Sequence, residues 1–235
     1  MPKESNKKPR SIRRRVFGLL VKLSVALVFI SLLPVVALRW WDPPFTAFTL
    51  VEDANIRLNT WYHFPDLGTQ MGLAVIAAED QKFPTHFGFD LDSLEKALRD
   101  RQSGKRFRGA STITQQTAKN LFLWKGKNFV RKGLEAYFTL AMETTLPKRR
   151  ILEIYLNIIE LGPGIYGTPR ASEYFFDKKP SELSASEAAL LAAVLPNPKR
   201  LRPVNPTPYM QERQYWIMEQ ARQMQEKGLT YDLLD

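Results

Sequence analysis

Val16–Leu38 reads VFGLLVKLSVALVFISLLPVVAL, 23 residues with a single charge, Lys22, near the start. As a helix this stretch is about 34 Å long, enough to cross roughly 30 Å of hydrocarbon with some tilt. Lys22 lies close enough to the entry to stretch its ammonium outward. Arg39, Trp40 and Trp41 follow at once, the amphipathic ending expected at a membrane interface. Residues 1–15 carry seven Lys/Arg against Glu4, so the positive-inside bias puts this tail in the cytoplasm and the body outside. The competing reading is a cleaved signal peptide with Val35-Val36-Ala37 as its small-residue site. The apolar stretch exceeds the about 7–15 residues of a usual h-region, which favours an anchor. A buried core helix would not call for the flanking charge asymmetry. The chain divides into a basic tail (1–15), a transmembrane helix (16–38), a linker and approach segment (39–66) and a body (67–235).

The net charge of +10 is mainly a property of the tail, which holds +6 of it. The body is only mildly cationic, which argues against nucleic acid as a partner. There is no cysteine, so disulfides, thiolate metal sites and a cysteine nucleophile are excluded, and His63 and His86 are too few for a multi-histidine zinc site.

After a proline-containing approach (Pro43, Pro44, Pro65) the pattern is helical. Thr69–Lys82 is Ala-rich, with apolar residues at spacings of three and four. Asp92 with Glu95 predicts a capped helix to about Arg101, and Gly104–Gly109 is a basic loop. Thr112 with Gln115 and Ser184 with Glu187 are capping boxes, opening helices to about Leu123 and Leu195. Asn128–Thr145, Pro147–Ile159 and Tyr209–Lys227 complete the set, with breaks at Gly162–Gly167 and over the prolines of 196–208. No run alternates with period two for long. The expected fold class is all-α.

Four clusters carry polar groups that packing alone does not explain. In the first, Glu79 ends an apolar helix and should emerge at the rim of the core, where desolvation makes it a better proton acceptor. Asp80 points about 100° away, so the two form no carboxylate pair facing one way; Phe83, His86 and Gly88 follow. The second runs from Gly109 through Ser111, Thr112, Thr114, Gln115 and Gln116 to Lys119 and Asn120, a face suited to sugar hydroxyls, amides and an anionic group. In the third, Arg131 can pair with Glu135, while Glu143 lies two turns on and about 80° round, free to face a cleft. In the fourth, 148–157, Glu153 and Asn157 share a face, where hydrogen bonds fixing a neighbouring loop are expected rather than catalysis. The bland alternatives are a surface salt bridge for Glu79 and a solvated helix front for the second cluster.

In order and spacing, EDQKFPTHFG (79–88), GASTITQQTAKN (109–120), RKGLEAYFTLAME (131–143), KRRILEIYLN (148–157) and SASEAALLAAVLPNPKRLRP (184–203) resemble the sequence blocks of the peptidoglycan glycosyltransferases. The resemblance runs from about Leu67 to Pro203. It looks like the monofunctional type, because Ser93-x-x-Lys96 has no Lys-Thr-Gly companion. Lys127 stands where the family often has arginine, which keeps the charge but not a forked grip on phosphate. Thr168-Pro169-Arg170 departs from the family's usual Glu-Ala-Ala-like stretch.

The resemblance implies a lysozyme-like helical lobe, a small membrane-proximal jaw and a cleft between them. It implies a growing glycan chain on undecaprenyl pyrophosphate as donor, lipid II as acceptor and, as further partners, the inner membrane and other wall-synthesis and division proteins. Glu79 would be the general base. Lys119, Lys127 and Arg131 would meet the diphosphate, and Glu143 would assist directly or through a divalent cation (Mg or Mn). Asp80, Phe83, His86, Gly109, Ser111, Thr114, Gln115, Gln116 and Asn120 would complete the substrate-binding set. Two rivals remain at this level: a lytic transglycosylase or lysozyme-like enzyme, for which one catalytic glutamate also suffices, and a non-catalytic tethered wall-binding scaffold.

Overall fold

A computed structural model of the chain describes residues 12–52, 61–103, 111–126 and 128–234. The basic loop 104–110, including Gly109, and Lys127 lie outside the described residues. The expected all-α class holds. Along the chain come α1 (Ile12–Ala37), α2 (Ala47–Glu52), α3 (Phe64–Leu67), α4 (Thr69–Glu79), α5 (Leu91–Gln102), α6 (Ile113–Phe122), α7 (Phe129–Thr145) and α8 (Lys148–Ile158). A two-stranded antiparallel hairpin follows, β1 (Glu160–Gly162) with β2 (Ile165–Tyr166), then α9 (Thr168–Phe176), a 3-10 turn, α10 (Ala185–Ala193), α11 (Pro208–Glu226) and α12 (Tyr231–Leu234). The hairpin was not anticipated, because its strands are too short to show an alternating pattern.

The capping boxes at Thr112/Gln115 and Ser184/Glu187 form as expected, and the Asn128 side chain caps α7 by accepting from Arg131 N. Two boundaries differ. Helix α4 stops at Glu79 rather than Lys82, with Asp80 as its C-cap in an extended backbone conformation. Helix α5 is capped by Asp90, whose carboxylate accepts from Ser93 N at 3.0 Å, and not by Asp92. Both aspartates fit a cap by residue type, but Asp90 is the one that follows the turn at Gly88 and enters the helix.

The core forms where α4, α10 and α11 pack on one another and where α6 packs on α7 and α8. Met71–Ala77 of α4 are all buried, and so is Ile151–Ile158 of α8. Helix α4, with so little polar surface, is held by the burial itself, at roughly 25 cal/mol per Å² of apolar area.

Helix α1 is long and apolar enough to cross a membrane, with a mean hydropathy of 2.5 over its best window. Most of its large apolar side chains are exposed, among them Phe17, Leu27 and Phe29. Its last turns are nevertheless docked. Val35 and Leu38 join the core, and the Tyr137 hydroxyl of α7 lies 2.8 Å from Ser31 Oγ. Arg39 donates to the Thr145 carbonyl at the far end of α7 at 2.8 Å, so the two helices run in the same direction along this contact.

A guanidinium fixes the exit from α1. Arg150 Nε donates to the Leu38 carbonyl at 2.8 Å, satisfying a helix-end acceptor, and its terminal nitrogens reach the Trp41 carbonyl, Asp42 and Glu153. Glu153 also accepts from Trp61 Nε1 and Phe64 N, while Asn157 pairs with the Tyr62 backbone on both sides. Glu153 and Asn157 therefore do the loop-fixing expected of them. Replacing Arg150 by Ala leaves the largely buried Glu153 carboxylate without its closest cation. The expected loss is about 3 kcal/mol of unfolding free energy, read by denaturant titration of the detergent-solubilised chain.

Candidate active site

Glu79 is the residue at which α4 leaves the core. Its carboxylate is gripped from two other helices. Oε2 accepts from Gln116 Nε2 of α6 at 2.9 Å, and Oε1 lies 3.5 Å from a terminal nitrogen of Arg213 on α11. Gln116 is itself oriented, because its Oε1 accepts from the Tyr155 hydroxyl at 3.1 Å. Burial pushes the Tyr155 phenol well up, so it stays a donor. Burial also raises the pKa of Glu79 above the ordinary 4.5. The Gln116 hydrogen bond, Arg213 and Lys119 pull against that rise, and Asp80 adds to it. The result is a carboxylate held more basic than usual at the edge of an open cleft of about 260 Å³, walled by Asp80, Gln81, Lys82, Asp90, Ser111, Thr112 and Trp216.

Asp80 works as a joint. Its two oxygens lie 2.9 and 3.0 Å from His86 Nε2, and Oδ2 also accepts from Ile113 N, the first residue of α6, at 3.0 Å. A carboxylate at a helix N-terminus meets exposed N–H groups and the positive end of the dipole. Asp80 thus fixes α6 against the end of α4 and sets the spacing between Glu79 and Gln116. The turn at Gly88 completes the joint: its φ is +76°, its carbonyl accepts from Thr112 Oγ1 at 2.7 Å, and a Cβ there would meet Thr139 and Glu143 at 2.7 and 2.9 Å. Only glycine fits that backbone and that gap.

Glu143 is not among the described walls of the cleft at Glu79. Its side chain is only 3 % exposed, and Oε1 accepts from Thr114 Oγ1 at 2.6 Å and from Lys148 Nζ at 2.7 Å. Lys148 also lies 4.5 Å above the Phe83 ring. The residues present do not fit a resident divalent cation at Glu143. An ammonium already neutralises the carboxylate, and among the described residues Glu143 belongs to no cluster of three metal-ligating side chains. Asp42, His63 and Glu153 do form such a cluster, but the Arg150 guanidinium bonds two of them and repels a metal ion.

A group of cations lies between α6 and α7. Arg131 pairs with Glu135 at 2.8 Å, Lys132 bonds the same carboxylate, and Lys119 faces all three. Burial lowers the pKa of Lys119, with Arg131 and Lys132 adding to the effect and Glu135 opposing it. Arg131 and Lys132 share the Glu135 carboxylate, and Lys119 is acted on by Glu135 and by Glu79, so cations outnumber carboxylates here and the group suits a further anion.

The remaining expected contacts divide. Ser111 and Asp80 line the cleft and Gln116 reaches Glu79. Phe83, expected to touch substrate, is fully buried and supports His86 and Lys148 instead. Gln115 is engaged by its capping box, its Oε1 accepting from Thr112 N at 3.1 Å, and Thr114 by Glu143. Asn120 is half-buried near the end of α6. Arg213, Trp216, Tyr155 and Lys148 were not anticipated at the site. Lys148 could have been suspected from its place just after Pro147, where α7 turns back into α8. Arg213 carries no local signal.

The transglycosylase family model matches residues 48–222. A biosynthetic peptidoglycan transglycosylase of Shewanella oneidensis is 49% identical over 222 residues, covering 92% of this chain and 95% of its own. Proteins of the same name from Aeromonas hydrophila and Cronobacter sakazakii are 45% and 52% identical, covering 91% and 78% of this chain and 94% and 76% of theirs. With the family's sequence blocks laid out around one basic carboxylate and one cation group, the chain belongs to the transglycosylase family.

Proposed function

We propose that the chain polymerises the glycan strands of peptidoglycan at the outer face of the bacterial cytoplasmic membrane. The observation that carries this reading is the Glu79 carboxylate, held basic by burial at a cleft edge, with the half-buried Lys119 near enough to act on its charge. Glu79 takes the proton from the 4-hydroxyl of the acceptor GlcNAc of lipid II. That oxygen bonds to C1 of the donor MurNAc as the C1–O bond to undecaprenyl pyrophosphate breaks, turning α into β. The leaving group is already good and needs its charge met more than it needs a proton. Lys119 and Arg131, with Lys127 from outside the described residues, meet that charge. Ser111 and Gln116 orient the sugars. Glu143 acts by holding Lys148 and α6 in place, with no step through a metal. The lysozyme-like lobe corresponds to α4, α10 and α11 with α8, and the jaw to α2, α6 and α7.

The anchor supports the same reading. A lipid-linked substrate is confined to the bilayer surface, and tethering the enzyme there raises the effective concentration of each for the other. Because α7 runs alongside α1, its first turns, with Phe129 and Val130 exposed, lie towards the bilayer. The basic tail on the cytoplasmic side leaves the body outside. A cleaving enzyme has little use for a cation group beside a membrane helix. A pure scaffold has little use for a desolvated carboxylate.

Glu79→Gln is expected to lower lipid II polymerisation by about 100-fold or more while thermal unfolding stays unchanged. Near-normal turnover contradicts the assignment, and release of fragments from finished sacculi by the native chain would favour the cleaving rival. Lys119→Met separates binding from folding. It removes a half-buried cation whose charge the folded state disfavours, so thermal stability is expected to hold or rise while lipid II polymerisation falls about tenfold or more. A destabilised but fully active variant would contradict the role given to Lys119.

A further inference from the structure

We propose that Arg213, beyond the sequence blocks that carry the resemblance, is a positioning residue for the reaction: its guanidinium holds the Glu79 carboxylate at the cleft edge in the form able to accept a proton. The inference rests on Glu79 being the base.

The placement comes from α11. Met210 and Ile217 of this helix are fully buried and the Gln214 amide donates to Ser186 of α10 at 2.8 and 2.9 Å, which fixes the helix rotation. Arg213, three residues after Met210 and four before Ile217, shares their face, so its stem follows the buried stripe and its head arrives beside α4. There it stands 3.5 Å from Glu79 Oε1, while Gln116 occupies Oε2 at 2.9 Å. The Arg213 Nε is buried and has no hydrogen-bond partner, so the guanidinium is not held in a saturated structural network.

The contact is looser than the ion pairs that brace the fold. Arg131 meets Glu135 at 2.8 Å, and Arg150 closes tightly on Glu153. A guanidinium at 3.5 Å stabilises the negative charge without occupying the oxygen as a close hydrogen bond does. Oε1 therefore remains open to an acceptor hydroxyl, whereas Oε2 is engaged by Gln116.

The other charged and titratable groups around Glu79 do not supply this service. Asp80, next in the chain, carries the same sign and is itself engaged by His86 and Ile113 N. Tyr155, from α8, acts only through Gln116. Lys119, from α6, is the weaker of the two cations acting on Glu79 and is drawn towards Glu135. Without Arg213, burial would leave the carboxylate protonated over a larger part of the working pH range, and a protonated carboxyl cannot act as the base.

The test is the pH dependence of kcat for lipid II polymerisation by the full chain in detergent, comparing native, Arg213→Gln, Arg213→Lys and Glu79→Gln. Arg213→Gln is expected to move the acid limb up by about one pH unit. On the acid side of the native limb its rate then falls by up to about tenfold, while its rate well above both limbs stays within about twofold of native. KM for lipid II is expected to change little, and Arg213→Lys to restore most of the limb. A loss of equal size at every pH, a rise in KM alone, or an unmoved limb overturns the proposal. If Arg213→Gln fails to fold, Arg213→Met, which keeps the buried stem and removes the charge, takes its place: a limb moved up by about one unit supports the proposal and an unmoved limb overturns it. Substantial activity in Glu79→Gln would instead defeat the reading of Glu79 as base, whatever the Arg213 variants do.

Discussion

The proposed chemistry depends on desolvating one carboxylate by an amount the surrounding helices can tolerate. Helix α4 is buried on every side over Met71–Ala77, and Glu79 is the first acidic residue it brings to the rim. A fully buried, unpaired carboxylate would simply take up a proton, and a fully solvated one would be too weak a base. The fold reaches the middle ground with one hydrogen bond from Gln116 and one cation at longer range from Arg213. Each comes from a different helix, so the basicity of Glu79 is a tertiary property.

The same logic governs the cations. Lys119 and Arg131 are drawn out of water between α6 and α7, and Glu135 balances only part of their charge. Holding them there costs stability, and on the proposed reading an incoming diphosphate would offset that cost. Asp80 links the two halves of the site: by accepting from Ile113 N it fixes where α6 begins, and α6 carries both Gln116 towards Glu79 and Lys119 towards the cations. Glu143, tied to Lys148 and Thr114, braces the other flank of the same helix. The Arg150 clasp then fixes this assembly to the end of α1.

Much of this was legible in the sequence because its causes are local. Capping boxes at Thr112 and Ser184, the Arg131–Glu135 pair and the loop-fixing role of Glu153 and Asn157 all depend on neighbours within a turn or two, or on a helix face. The apolar run to Glu79 announced a carboxylate at the core's edge. What failed were choices between equivalent local candidates, such as Asp90 over Asp92 as a cap, and contacts made across the fold. Arg213 reaches Glu79 only because Met210, Gln214 and Ile217 set the rotation of α11. Phe83 turns inward as part of the apolar core, and Lys148 lies over its ring. The hairpin at Glu160–Tyr166 was too brief for periodicity to reveal.

The central claim is that the folded chain holds Glu79 more basic than an ordinary glutamate. Carboxyl infrared difference titration tests it directly, with the Glu79 band identified by its loss in Glu79→Gln. The account predicts a midpoint for that band above the ordinary value of 4.5. A midpoint at or below it would mean that the cations overcome burial, and the general-base reading of this site would not stand.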